Sequence, residues 1–178
     1  MSNSGAARAD EILAPHKNPS QRTEGIPITS LLGYYASVSE LMAEGEYQQT
    51  TQLLSDLDKI EIPANVKFLL ERFSSLMTEL NLEFEKSALE ISKAKYFIQE
   101  NELEQAEISL QLATEHIDTI SVNLFEIQNS SQTLIEFSGT ADIITLTGLE
   151  GLSDAIETLE KSSVRLEESL FALEKLHK

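Results

Sequence analysis

The chain has no cysteine and no tryptophan among its 178 residues. The first absence excludes disulfides, thiolate metal sites and cysteine nucleophiles, and by itself says nothing of compartment. Basic side chains are also scarce: 13 Lys and Arg stand against 30 Asp and Glu, for a net charge of -17. The first 30 residues are balanced, with Asp10, Glu11 and Glu24 against Arg8, Lys17 and Arg22, so the whole excess falls on residues 31–178. A surface of that sign repels phosphate backbones and anionic headgroups, which excludes nucleic acid and direct binding to an anionic membrane from the expected partners. No apolar run approaches the ~20 residues of a membrane span. Strand alternation and Asn-Gly hairpin signals are missing too. What remains, at 41% apolar residues, is enough for the core of one domain, or one domain with a tail.

Residues 1–27 read as a disordered tail, rich in Ser, Ala, Asn, Gly and Pro, with Ile12 and Leu13 on no period. The domain is expected over 28–178. From Pro27 onward the pattern is helical. Ile28, Leu31, Leu32, Tyr35, Val38, Leu41 and Met42 keep a 3/4 spacing that predicts a helix to about Ala43, with Thr29 or Ser30 as cap. A short helix follows from Tyr47 to about Lys59, with Tyr47, Thr50, Leu54 and Leu57 on one face. A long helix over about 63–99 carries the seam Val66, Leu69, Phe73, Leu76, Leu80, Phe84, Ser87, Ile91, Ala94 and Ile98. The next, over about 102–138, alternates steps of 3 and 4 without a slip: Leu103, Ala106, Leu110, Ala113, Ile117, Ile120, Leu124, Ile127, Ser131 and Leu134. Flanking Ile108, Leu112, Val122, Phe125 and Ile135 widen that stripe and argue for more than one partner helix. Residues 140–151, with Gly148 and Gly151, read as a short helix or kinked entry to a last, shorter helix whose seam is Leu152, Ile156, Leu159, Ser163, Leu166, Leu170 and Leu173.

Long helices joined by turns of three or four residues must lie antiparallel. The expected fold is therefore all-α: an elongated antiparallel helical bundle of three long helices plus an N-terminal helical hairpin. The two longest helices would each span roughly 55 Å, with the small hairpin thickening one end.

Two stretches align. Leu41–Thr50 and Phe97–Ala106 each hold a helix end, a Glu-Gly-Glu or Glu-Asn-Glu turn, an apolar anchor (Tyr47 or Leu103) and a small residue three positions on. The turn resembles that of tetratricopeptide repeats, but the spacing between the two copies is far longer than that family's period of ~34 residues, so shared hairpin physics accounts for it. Gly45 and Asn101 are placed to supply the left-handed backbone that such a helix end needs. The order from Leu32-Gly33-Tyr34-Tyr35 through Gly45-Glu46-Tyr47 and Ile62-Pro63 to Leu70-Glu71-Arg72-Phe73, continued by Asn101-Glu102-Leu103-Glu104-Gln105-Ala106, resembles helical-hairpin segments of large archaeal cell-surface proteins. That resemblance implies an extracytoplasmic helical module and transfers no functional residue. With Met1 as the native start, the chain, which shows no signal-peptide pattern, is expected in the cytoplasm; with Met1 added to a trimmed chain, the resemblance favours an extracytoplasmic surface.

Chemistry-bearing residues are few. His16 lies in the tail, His177 is next to last, and His116 sits at the edge of a seam. Glu174 and His177 match the Glu-x-x-His spacing of di-iron bundles, which need two such motifs and inward carboxylates from other helices; here the seams are apolar. No phosphate-cradling glycine loop, calcium loop or nucleophile elbow occurs. No catalytic, cofactor-binding or metal-binding residue is assigned, no cofactor is expected, and the chain reads as no enzyme. The expected function is that of a structural or protein-interaction helical module, as part of a larger assembly or surface protein. The alternative is a bundle that senses a small molecule between its helices, for which Ser87, Ser131 and Ser163 are the polar seam positions. The candidate contact with a protein partner, or with a second copy of the chain, is the turn between the two longest helices. Tyr96 and Phe97 add apolar area there, rimmed by Glu100, Glu102 and Glu104.

Overall fold

A computed structural model describes residues 4–17, 28–62, 64–138 and 143–177. Among the described residues six helices follow one another: α1 (Ser4–Lys17), α2 (Ile28–Ala43), α3 (Tyr47–Leu57), α4 (Ala64–Gln99), α5 (Leu103–Ser138) and α6 (Ile143–His177). Among the described residues there is no strand, and the all-α class holds.

The first correction to the sequence reading is α1, which forms inside the segment expected to be a disordered tail; residues 18–27 lie outside the described residues. Gly5, Ala9 and Leu13 recur every fourth residue and face α2, with Ala9 and Leu13 fully buried. A Cβ on Gly5 would stand 3.2 Å from Leu41 Cγ and 3.3 Å from the Ser37 carbonyl oxygen, so the two helices approach closely. Arg8 pairs with Glu40 across the contact. Close packing through small residues leaves little apolar signal, which is why the period went unseen.

Helix α2 is buried on more than one face because α1, α3 and α6 all pack on it. Tyr34 Oη donates to the Leu53 carbonyl of α3 at 2.6 Å, and Tyr35 Oη donates to the Leu70 carbonyl of α4 at 3.3 Å and is hydrogen-bonded to Ser74 Oγ. The Tyr35 ring stands edge-on to Phe73 at 4.7 Å. Burial pushes Tyr35 up to about 12, with the Ser74 bond pulling the other way, and burial together with nearby Asp56 raises Tyr34 still further. Thr29 and Ser30, expected as caps, lie within the first turn of α2.

The aligned turns close alike. Glu46 N–H donates to the Leu41 carbonyl and Gly45 N–H to that of Met42; Glu102 N–H donates to Phe97 and Asn101 N–H to Ile98. This is the paired bonding of a left-handed helix stop, with Gly45 at φ 85° and Asn101 at φ 59°.

Helix α4 meets α5 along the expected seam, with Phe73, Leu76, Leu80, Phe84, Ser87 and Ala94 buried; the side chain of Val66 lies outside the described residues. It also has a second buried face, Leu70, Met77 and Asn81, that the single-seam reading missed. Asn81 Nδ2 donates to the Tyr47 carbonyl and to Thr51 Oγ1 of α3, both at 3.0 Å. On α5, Ala106 through Ile127 are buried as read, while Leu103 is 46% exposed at the open start of the helix. The flanks Ile108, Val122 and Phe125 also face water, so they do not widen the seam as expected; Ser109 and Asn123 are the buried additions. Residues 143–151 are helical, making α6 35 residues long rather than the shorter helix expected. Gly148 sits against α2, where a Cβ would stand 3.3 Å from Leu32 Cδ1, and Ser162 Oγ donates to the Ala43 carbonyl at 2.8 Å.

The apolar interior is in two parts. The larger draws on all six helices, from Ala9 and Leu13 to Leu152, Ile156 and Leu159. The smaller holds Ala94, Leu110, Ala113, Ile117, Leu170 and Leu173, from α4, α5 and α6 alone. Leu166 packs against both.

Candidate interaction site

The turn between α4 and α5 brings all five expected contact residues together. Tyr96 is 55% exposed and Phe97 half-buried, with their rings edge-on at 5.7 Å. Glu100, Glu102 and Glu104 are exposed around them. Asn101 holds the reversal by its left-handed backbone, which a short polar side chain tolerates better than a branched one. Glu104 lies in the first turn of α5, where a carboxylate meets the positive end of the helix dipole. Ile98 packs against the smaller core just below the turn. The turn therefore carries one exposed and one half-buried aromatic ring at a left-handed reversal, with Glu100, Glu102 and Glu104 exposed after them and Lys95 exposed before.

The other residues singled out by sequence fall elsewhere. His116 Nδ1 lies 2.6 Å from Glu83 Oε2, joining α5 to α4 at a half-buried level. Among the described residues no group of three or more His, Asp or Glu is arranged to hold a metal ion. Ser87 Oγ donates to the Glu83 carbonyl at 2.6 Å and Ser131 Oγ to that of Gln128 at 2.8 Å, so both hydroxyls are engaged on their own helices; Ser163 is buried.

Open grooves lie on the surface of the described residues, among them one of about 950 Å³ between α3 and α4. A second of about 420 Å³ lies between α1 and α3, and a third of about 300 Å³ between α4 and α5 beside Arg72 and Asn129. None is lined by Ser87, Ser131 or Ser163. Sequence reasoning had no signal for the groove between α3 and α4. No helix of the described residues is long and apolar enough to cross a membrane. Compared with known proteins, the chain matches no family model, no curated protein sequence and no solved structure.

Proposed function

We propose that the chain is a non-catalytic helical interaction module, an elongated antiparallel bundle that presents the α4–α5 turn to a protein partner or to a second copy of itself. The observation that carries this reading is the exposed Tyr96 ring beside Phe97 at a turn edged by Glu100, Glu102 and Glu104. Exposed aromatic area is a common centre of a contact, and neighbouring charged residues suit its polar edge. The treatment of interior polar groups also supports it. Buried Ser39, Thr50 and Ser87 donate to carbonyls of the preceding turn, so these three hydroxyls are engaged within their own helices. The net charge of -17 favours partners other than nucleic acids and anionic membranes. The resemblance to archaeal cell-surface segments is consistent with such a role in a larger assembly.

Sedimentation of the full chain and of the Tyr96→Ser/Phe97→Ser variant tests the tip. The expected result is self-association that weakens by at least about tenfold in the variant, or ~1.4 kcal/mol. Equal association constants for the two would remove the tip from the contact. Native mass spectrometry of the purified chain tests the alternative, since a small molecule retained at one per chain would make the bundle a ligand sensor instead.

A further inference from the structure

We infer that copies of this chain associate head-to-tail, the outer face of α4 in one copy lying antiparallel against the outer face of α5 in the next. This rests on the reading of the chain as an interaction module, and it extends the contact from Tyr96 along two helix shafts. On α4, Phe68, Leu82, Leu89 and Tyr96 stand seven or fourteen residues apart, so they form one stripe, and all four are exposed. On α5, Ile108 and Val122 are likewise fourteen residues apart and 59% and 57% exposed, with Phe125 exposed one turn further on. Leu82 and Leu89 lie about half a turn of helix from buried Leu80 and Ser87, and Val122 the same from buried Ile120. Both stripes therefore face away from the α4–α5 seam, and one chain offers them on two different sides.

Charge and spacing select a second copy as the occupant. Helix α5 carries no Lys or Arg, whereas α4 holds Lys67, Arg72, Lys86, Lys93 and Lys95, more basic residues than any other helix described. Lys86 and Lys93 are exposed beside the α4 stripe, and Glu115 and Asp118 are exposed beside that of α5. Among the described residues no ion pair joins Lys86, Glu115 or Asp118 to an opposite charge. Set antiparallel with Leu82 opposite Val122, the two helices bring Tyr96 opposite Ile108. The same register sets Lys86 opposite Asp118, and Glu115 opposite Leu89, between Lys86 and Lys93. Two apolar layers thus close the ends of a stretch of about 21 Å, with opposite charges between them. Glu85 falls opposite Thr119 and Glu79 opposite Phe125, so no carboxylate is set against another. Two α5 faces would oppose like charges throughout.

Sedimentation velocity of the full chain at about 0.15 M salt provides the test. A Debye length of about 8 Å then screens the long-range repulsion of a net charge of -17, while charges in contact still act. From about 10 μM to about 1 mM chain the mean mass is expected to rise past that of a dimer, because a head-to-tail contact leaves one free face at each end. Lys86→Glu and Asp118→Lys, both at exposed positions, should each weaken association by at least about tenfold. An equimolar mixture of the two variants should regain it to within about threefold, since every contact in an alternating assembly again joins opposite charges. Leu82→Ser should weaken association as strongly, and serves if a charge variant fails to fold. No association up to about 1 mM, a mass that levels off at the dimer, or a mixture no stronger than its components would overturn the proposal. Association lost in Tyr96→Ser/Phe97→Ser but unaltered in folded Lys86→Glu would remove this contact and leave the one at the turn standing.

Discussion

Ile120 and Ile108 lie on the same helix and carry the same side chain, yet the structure assigns them opposite responses to truncation. Ile120 is fully buried in the larger core, whereas Ile108 is 59% exposed. Ile120→Ala removes about three methylene equivalents, worth ~2.4 kcal/mol at ~0.8 kcal/mol each. The cavity adds to this wherever its walls do not close, giving a total of ~2–4 kcal/mol. A domain with about 5–15 kcal/mol of stability would feel that as a large fraction of the whole. Ile108→Ala loses little packing and gains helix propensity, so its effect should stay within about 0.5 kcal/mol and lean towards stabilisation. Urea titrations followed by circular dichroism would measure both, with an unchanged slope showing that the comparison is between the same two states. A loss below ~1 kcal/mol at Ile120, or equal losses at the two positions, would mean that the assigned face of α5 is wrong.

Glycines in α6 offer a second pair. A Cβ at Gly151 meets nothing within 4 Å, so Gly151→Ala should raise stability by ~0.5–1 kcal/mol, whereas Gly148→Ala must displace Leu32 and should gain less; thermal melts of the two variants would rank them. Alkaline pH probes the buried tyrosines. Tyr35 is held neutral in the fold up to about 12, while the unfolded chain ionises it near 10.0. Its contribution is therefore complete below pH 10 and is lost as pH rises towards 12, on the order of 2–3 kcal/mol. Urea midpoints at pH 9.5 and 11.5 should fall accordingly and fall less in Tyr35→Phe; equal midpoints in the wild-type chain would contradict the burial argument.

The α5 seam was legible because its apolar residues, Ala106 to Ile127, occupy steps of 3 or 4 and are all buried. The two turns were legible because Gly45 and Asn101 are the residues that reach positive φ at least cost. Helix α1 was not, since Gly5 and Ala9 pack by being small and hydropathy does not register them. The second face of α4 escaped for another reason: Leu70, Met77 and Asn81 matter only once α3 has folded against them. Ile108, Val122 and Phe125 show the converse error, in which apolar character was taken for burial although these side chains are exposed. At the turn, sequence fixed the neighbours of Tyr96 along the chain but not the edge-on contact with Phe97, which depends on rotamers. The α3–α4 groove was hidden because it belongs to no stretch of sequence, only to the space between two neighbouring helices.

The division of the apolar interior has a mechanical consequence. Six helices grip one another around Tyr35 and Phe73, but only three meet around Ala113 and Leu170, with Leu166 as the shared joint. The end bearing Tyr96 and Phe97 thus rests on the smaller anchorage, and its opening need not cost the free energy of unfolding the whole chain. The three long helices α4, α5 and α6 share the smaller cluster, so its amides are expected to exchange sooner than those around the larger one. Load applied at the turn would be relieved first by slippage within the small cluster, sparing the buried tyrosine bonds that hold α2, α3 and α4 together.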